Sequence, residues 1–190
     1  MPDETKLMRS AAIAATGLAS AAIGAFAYLR FTAPPVSNRH VPEPFKAVDL
    51  DRYLGRWYEI ARYPNRFEKG CEAVTAEYAM LPNGHVRVVN RCHKGQPGGP
   101  CRESKGEAKI VPASRGAKLR VSFFGPFYVG DYWVLDHGDD YGWSIVGEPA
   151  GRYLWLLARD AQPGDGERER LIGRAAELGY DISRLHFTRH

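Results

Sequence analysis

Few residues in this chain are spaced to do chemistry. The three cysteines stand at Cys71, Cys92 and Cys101, and no Cys-x-x-Cys occurs, which excludes a zinc ribbon. Six histidines (His40, His85, His93, His137, His186, His190) show no His-x-x-x-His or other ligand spacing, so no metal site is expected. The chain has no Gly-x-Ser-x-Gly turn, phosphate loop or dinucleotide fingerprint, each of which would place a nucleophile or cradle a phosphate. Catalytic residues and cofactors are therefore expected to be absent, and the chain reads as a non-enzyme. What remains for the cysteines is structural chemistry. Three of them allow one disulfide. Cys71–Cys92 would staple a hairpin region, whereas Cys92–Cys101 would close a loop around residues 95–100. The first is favoured because Cys71 and Cys92 flank one hairpin. The thiol left over is either buried or available for an intermolecular link.

The 26 basic and 22 acidic residues give a net charge of +4, and no Lys/Arg block runs along the chain. Nucleic acid is not an expected partner. Residues 10–29 carry no charge and are bracketed by Arg9 and Arg30. That length is close to the ~20 residues that span a bilayer as a helix. Lys6 and Arg9 precede it, so the positive-inside rule puts the rest of the chain on the exported side, where disulfides are permitted. Two readings stay open for residues 1–30. One is a signal peptide cleaved after Ala25-Phe26-Ala27; the other is an uncleaved anchor. No cysteine follows the leader closely enough to accept a lipid, the first being Cys71. Residues 31–47 hold Ala33-Pro34-Pro35 and Val41-Pro42-Glu43-Pro44 and read as a semi-stiff linker. The folded domain is expected over 48–190.

The elements that must position any site alternate with turn signals. β-rich runs are expected at 57–63, 74–80, 85–92, 105–112, 117–124, 131–136, 143–147 and 153–159. Pro82-Asn83-Gly84 marks a hairpin, and residues 95–100 mark another turn. Eight strands without intervening helical patterns predict an all-β closed barrel or sandwich. The period then changes. Leu171, Ile172, Ala175 and Leu178 share one helical face, predicting a helix over 167–178 closed by Gly179, and a short strand is expected at 184–187. An eight-stranded barrel is wide enough to hold one small ligand.

The run from Tyr53 to Pro64 contains Gly55-Arg56-Trp57 and resembles the lipocalin family, whose signature is Gly-x-Trp at the first strand. Arg66-Phe67-Glu68-Lys69-Gly70, the stretches 74–78 and 121–128, the stretch 153–159 and Gly179-Tyr180-Asp181 are similar, in the same order, to the apolipoprotein D and bacterial lipocalin branch. The resemblance implies an eight-stranded antiparallel up-and-down barrel forming a calyx, with one C-terminal helix; the hydrophobic segment 10–29 adds an N-terminal helix. It implies that Arg159 lies across Trp57 at the closed end as a structural cation–π contact. The family's Thr-Asp-Tyr motif stands here as Gly130-Asp131-Tyr132, without the threonine. The implied ligand-binding residues are Phe123, Trp133 and Trp155, with Asn90 at a polar mouth and Tyr78, Tyr132 and Tyr153 as further candidates. Glu59 and Arg62 either meet a headgroup or are satisfied within the fold.

The implied function is to bind and carry small hydrophobic ligands, fatty acids or lysophospholipids, in envelope maintenance and stress response. The location would be a membrane anchor facing the periplasm, or the periplasm or outer membrane if the leader is cleaved. Alternatives are a carrier of another apolar ligand, such as haem or a pigment, and a lipocalin-type isomerase using Cys92. The apolar loop 124–130 would either dip into lipid or pair two protomers, so both a monomer and a homodimer are open.

Overall fold

The computed structural model describes residues 34–190. The hydrophobic segment 10–29, its flanking charges and the candidate cleavage site lie outside the described residues. A single turn of helix, α1 (Leu50–Tyr53), leads into eight strands: β1 (Gly55–Arg62), β2 (Cys71–Met80), β3 (Val86–Lys94), β4 (Cys101–Ile110), β5 (Lys118–Ser122), β6 (Gly130–His137), β7 (Trp143–Gly147) and β8 (Leu154–Ala158). Helix α2 (Asp165–Glu177), a 3₁₀ turn at Ile182–Arg184 and the two-residue β9 (His186–Phe187) follow. Each strand pairs antiparallel with the next, and β1 pairs with both β2 and β8. The sheet is thereby closed into an eight-strand barrel, which removes most of its exposed edge. β9 adds to the upper half of β1, with Ala61 opposite Phe187.

Strand alternation divides the apolar residues into two cores. One fills the barrel and includes Trp57, Tyr78, Val88, Val134 and Leu157. The other covers the outer face of β1 and β6–β8, where Leu135, Ile145 and Leu156 meet Leu171, Ala175 and Leu178 of α2. β8 serves both: Trp155 and Leu157 face in, while Leu154, Leu156 and Ala158 face the helix. That is why its sequence is apolar on both faces. The helical face read from the sequence is the buried one.

Two local features depart from simple expectation. Residues 34–47, the described part of the segment expected as a semi-stiff linker ahead of the domain, lie against the barrel. Asn38 is buried, its amide donates to the Leu178 carbonyl at 2.8 Å, and Ser37 N–H bonds Gly151 O at 2.9 Å. A Cβ at Gly151 would sit 1.8 Å from Asn38 O, so only glycine allows this approach. Proline content sets stiffness, but it does not decide whether the segment packs. The second feature is a β-bulge in β1 between Glu59 and Ala61. Ile60 is the extra residue and joins the outer core. Glu59 lies opposite the inward Leu157, and Arg62 lies opposite the inward Trp155. Both charged side chains therefore point into the barrel.

Candidate ligand site in the barrel interior

The closed end is a plug of aromatic rings. Tyr53, carried under the barrel by α1, has its hydroxyl 3.0 Å from that of Tyr132 and 2.9 Å from Ser144 Oγ. Tyr78 Oη lies 3.0 Å from Tyr132 Oη. Burial pushes the Tyr53 phenol up to about 12 and also raises those of Tyr78 and Tyr132 well above the usual phenol range, so all three are neutral hydrogen-bonding groups and not bases. The Trp57 indole donates to Tyr53 O at 2.8 Å. The Arg159 guanidinium stacks 3.9 Å above the Trp57 ring. It also donates to the carbonyls of Arg56, Arg52, Tyr53 and Leu54 at 2.7–3.1 Å. Four carbonyls and one ring engage a single planar cation here, a pattern lysine could not match.

Higher in the barrel, Arg62 Nη1 meets Glu59 Oε1 at 2.5 Å, with both side chains almost fully buried. Thr188 Oγ1 accepts from Arg62 at 3.0 Å and donates to the Glu59 carboxylate. Arg62 Nη2 donates to the carbonyls of Glu68 and Cys71 at 3.0 and 3.1 Å. Apart from Arg62 Nε, which has no hydrogen-bond partner among the described residues, the pair is satisfied within the fold, joining β1 to the β1–β2 loop, to the start of β2 and to the segment after β9. Burial and the nearby Glu68 carboxylate raise the Glu59 pKa, against the opposing pull of Arg62.

Connections β1–β2, β3–β4, β5–β6 and β7–β8 fall at one end in an up-and-down barrel, and that end is the mouth. There the Trp155 indole donates to Glu68 Oε2 at 3.1 Å. Its ring stacks on Tyr153, with centroids 5.7 Å apart and planes 13° from parallel. Tyr153 in turn lies 5.5 Å from Phe67, which is 50% exposed in the β1–β2 loop. Three rings thus run from the barrel interior to its rim. Across the mouth, Phe123 lies over Gly106, where an added Cβ would come within 2.7 Å of the ring. Asn90 shares a strand face with the inward Val86 and Val88, and its Oδ1 is buried with no hydrogen-bond partner among the described residues. Arg102 and Ser104 share the inward face of Ala108 yet are exposed, as expected where a calyx opens to water.

Of the residues inferred from sequence, Tyr78, Asn90, Phe123, Tyr153 and Trp155 are on the interior face or at its rim. Trp133 is not. Its neighbours Tyr132 and Val134 face in, so Trp133 faces out against the helix layer, with the Lys118 ammonium 4.1 Å above its ring. One step in strand parity separates the two assignments. Glu68, Phe67 and Ser144 are not among the site residues inferred from sequence; Phe67 and Glu68 enter there only in the stretch 66–70 that carries the family resemblance. Glu68 and Phe67 sit in a loop, where no periodicity points to them. Cys71 and Cys92 are joined by a disulfide with Cα atoms 5.4 Å apart, and Cys101 is free and exposed. Among the described residues no cluster of three or more His, Cys, Asp or Glu could hold a metal ion. A cleft of about 390 Å³ between the β6–β7 hairpin and α2 lies outside the barrel. Its Lys46 and Asp136 are already paired, with Asp139 and Arg174 respectively.

A closed antiparallel barrel with a plugged base and an open, aromatic rim defines a calyx protein. Residues 48–190 match the lipocalin-like domain, and the chain belongs to the lipocalin family. It is 38% identical over 169 residues to the outer membrane lipoprotein Blc of Escherichia coli K12, covering 88% of this chain and 93% of that protein. Temperature-induced lipocalin-1 of Arabidopsis thaliana is 39% identical over 153 residues, covering 77% and 81%. Mouse apolipoprotein D is 35% identical over 135 residues, covering 68% and 69%. Among solved structures, insecticyanin of the tobacco hornworm Manduca sexta superposes with a TM-score of 0.60 at 22% identity, over 83% of this chain and 86% of that one. Lobster apocrustacyanin A1 gives 0.61 at 13% identity, over 84% and 90%. At such identities the likeness concerns the fold alone.

Proposed function

We propose that the upper barrel binds and carries a small hydrophobic ligand, a fatty acid or a lysophospholipid. The observation that carries this reading is the run of rings Phe67–Tyr153–Trp155 leading from the rim inward. Facing that run are Phe123 and the unpartnered Asn90 acceptor. Tyr78 forms part of the floor. Such a site is apolar with a few placed polar groups, as ligand pockets are. An acyl chain gains about 0.8 kcal/mol per methylene removed from water. Eight methylenes give roughly 6 kcal/mol by that figure, before association costs of several kcal/mol. Micromolar affinity, which suits a carrier that must also release, needs about 8 kcal/mol net, so a longer acyl chain and headgroup contacts supply the rest. The chain acts as an exported binding protein in envelope maintenance and stress response, not as an enzyme. The segment 10–29 either tethers it to a membrane facing the periplasm or is removed to leave it in the periplasm or at the outer membrane. The outer membrane lipoproteins among its relatives support an envelope location.

The test is titration of residues 34–190 with a lysophospholipid and with a fatty acid while tryptophan fluorescence is read. Saturable quenching is expected. Trp155→Ala should abolish it with far-UV circular dichroism unchanged, and Trp133→Phe should keep it. Absence of quenching and of co-purified lipid would overturn the proposal.

A further inference from the structure

Residues 34–47 run along the outside of the barrel from one end to the other. At their start, the Arg152 guanidinium donates to Pro34 O at 2.7 Å, and the N–H groups of Ser37 and Asn38 donate to Gly151 O at 2.9 and 3.1 Å. Ser37 Oγ lies 2.8 Å from Tyr63 Oη. Gly151 and Arg152 belong to the β7–β8 connection and Tyr63 directly follows β1, so all of these contacts are at the mouth. At the other end, Lys46 donates to His137 O at 2.7 Å and Val48 N–H donates to Arg115 O at 2.9 Å. His137 ends β6 and Arg115 lies in the β4–β5 turn, which puts both at the closed end. The described chain therefore begins at the rim of the mouth.

Chain length then decides orientation. Only residues 30–33 separate Pro34 from the uncharged segment 10–29. The chain from Leu29 to Pro34 reaches about 18 Å at full extension. Pro34 thus stays within that distance of the hydrocarbon core of any bilayer that residues 10–29 span. The nine residues of β3 rise about 30 Å along the strand, and the strand tilt of a barrel leaves roughly 23 Å from mouth to base. A barrel standing on its closed end would hold Pro34 at that height above a headgroup layer of ~5–8 Å, farther than the chain extends. With the mouth against the bilayer the chain reaches easily. The mouth also carries apolar side chains that suit a lipid surface. Phe67 projects from the β1–β2 loop, and after β5 Phe124, Phe127 and Val129 are 83%, 66% and 63% exposed. We propose that residues 30–38 hold the calyx mouth-down on the bilayer that residues 10–29 span, so that a lipid passes between bilayer and barrel without crossing water. The inference rests on the carrier reading and on the segment 10–29 staying in place. A short tether makes docking intramolecular, at an effective concentration in the millimolar range, so a modest apolar rim suffices to keep the mouth seated.

Proximity to headgroups reads the orientation directly. The full chain, with Cys101→Ser and the Cys71–Cys92 bond intact, is placed in vesicles of equimolar phosphatidylethanolamine and phosphatidylglycerol that carry a nitroxide on some headgroups. Single cysteines bearing a fluorophore are set at exposed turns: Ala150→Cys at the mouth beside the arm, Gln96→Cys across the mouth from it, and Pro82→Cys at the closed end. Quenching at Ala150→Cys and Gln96→Cys should each exceed that at Pro82→Cys at least fivefold. A spacer of about twenty Gly and Ser residues between Thr32 and Ala33, with a reach of about 25 Å, should bring the three within twofold of one another. Equal quenching without the spacer overturns the proposal, and quenching at Ala150→Cys alone does so too, because the barrel then lies on its side. Unchanged quenching with the spacer also overturns it, since the loops alone would then seat the rim. So does a chain recovered from cells without residues 10–29. The lysophospholipid titration of residues 34–190 involves no bilayer, so it separates each of these outcomes from failure of the carrier reading.

Discussion

Arg62 and Glu59 bring a full charge pair into an otherwise apolar barrel. Taking two charges out of water costs several kcal/mol per ion, and mutual attraction returns that only when the remaining hydrogen bonds are made. Here they are nearly all made: Thr188 serves both partners, and the carbonyls of Glu68 in the loop and Cys71 at the start of β2 take the second guanidinium nitrogen. Removing one partner alone leaves a buried charge exposed to a low dielectric. Arg62→Met is expected to cost about 3–5 kcal/mol in urea unfolding, and adding Glu59→Leu should recover most of it. If the double variant is no better than the single, the pair contributes through its links to Thr188 and the loop. The phenols of the floor give a pH signature. A phenol that titrates near 10 in the unfolded chain and near 12 at Tyr53 in the fold binds its proton more tightly when folded. Its stabilisation is complete below pH 10 and is lost as pH rises from 10 toward 12. Tyrosinate absorbance from Tyr53, Tyr78 and Tyr132 should therefore emerge together with loss of circular dichroism. Titration of all ten tyrosines before unfolding would contradict the buried hydroxyl chain.

At the scale of elements, the Cys71–Cys92 bond joins β2 to β3 across 21 residues of sequence. Closing a loop of that length in the unfolded chain is worth roughly 3 kcal/mol, so reduction should lower unfolding free energy by about that amount while the barrel persists. A much smaller loss would mean that the hairpin is already restrained when unfolded. The strands themselves were legible because apolar runs and Asn-Gly or Gly-Pro turns alternate. β7 is found at the residues expected, and β4 starts four residues earlier than its apolar content suggests, because residues 101–104 are polar at an open rim. Facing was harder to read. A two-residue period counted from Trp57 places Glu59, Ala61 and Tyr63 inward, but the bulge at Ile60 turns Ala61 and Tyr63 out and Arg62 in. Nothing in the local sequence marks that extra residue. Trp133 failed for a related reason: an aromatic is equally at home under the helix or in the calyx, and only the neighbouring Tyr132 and Val134 decide between them.

Over the whole molecule, the two cores share the strands β1 and β6–β8, so neither can melt alone. Leu171→Ala in the outer core and Val146→Ala inside the barrel should each lower stability, the first by about 2–5 kcal/mol. In both variants, circular dichroism and tryptophan fluorescence should still report one coincident transition. Separate midpoints would show that the helix layer opens independently of the barrel. The closure of the sheet also bears on time. The seam joins Tyr58–Arg62 of β1 to Trp155–Ala158 of β8, partners that lie 93–100 residues apart in sequence (155 − 62 and 158 − 58). Bringing such distant segments together is the slow part of building a β topology. A chain emerging residue by residue can form its hairpins in order, but its first strand has no neighbour on one side until the eighth appears. The vessel stays an unrolled ribbon, able to thread a narrow passage, until nearly all of it has come through.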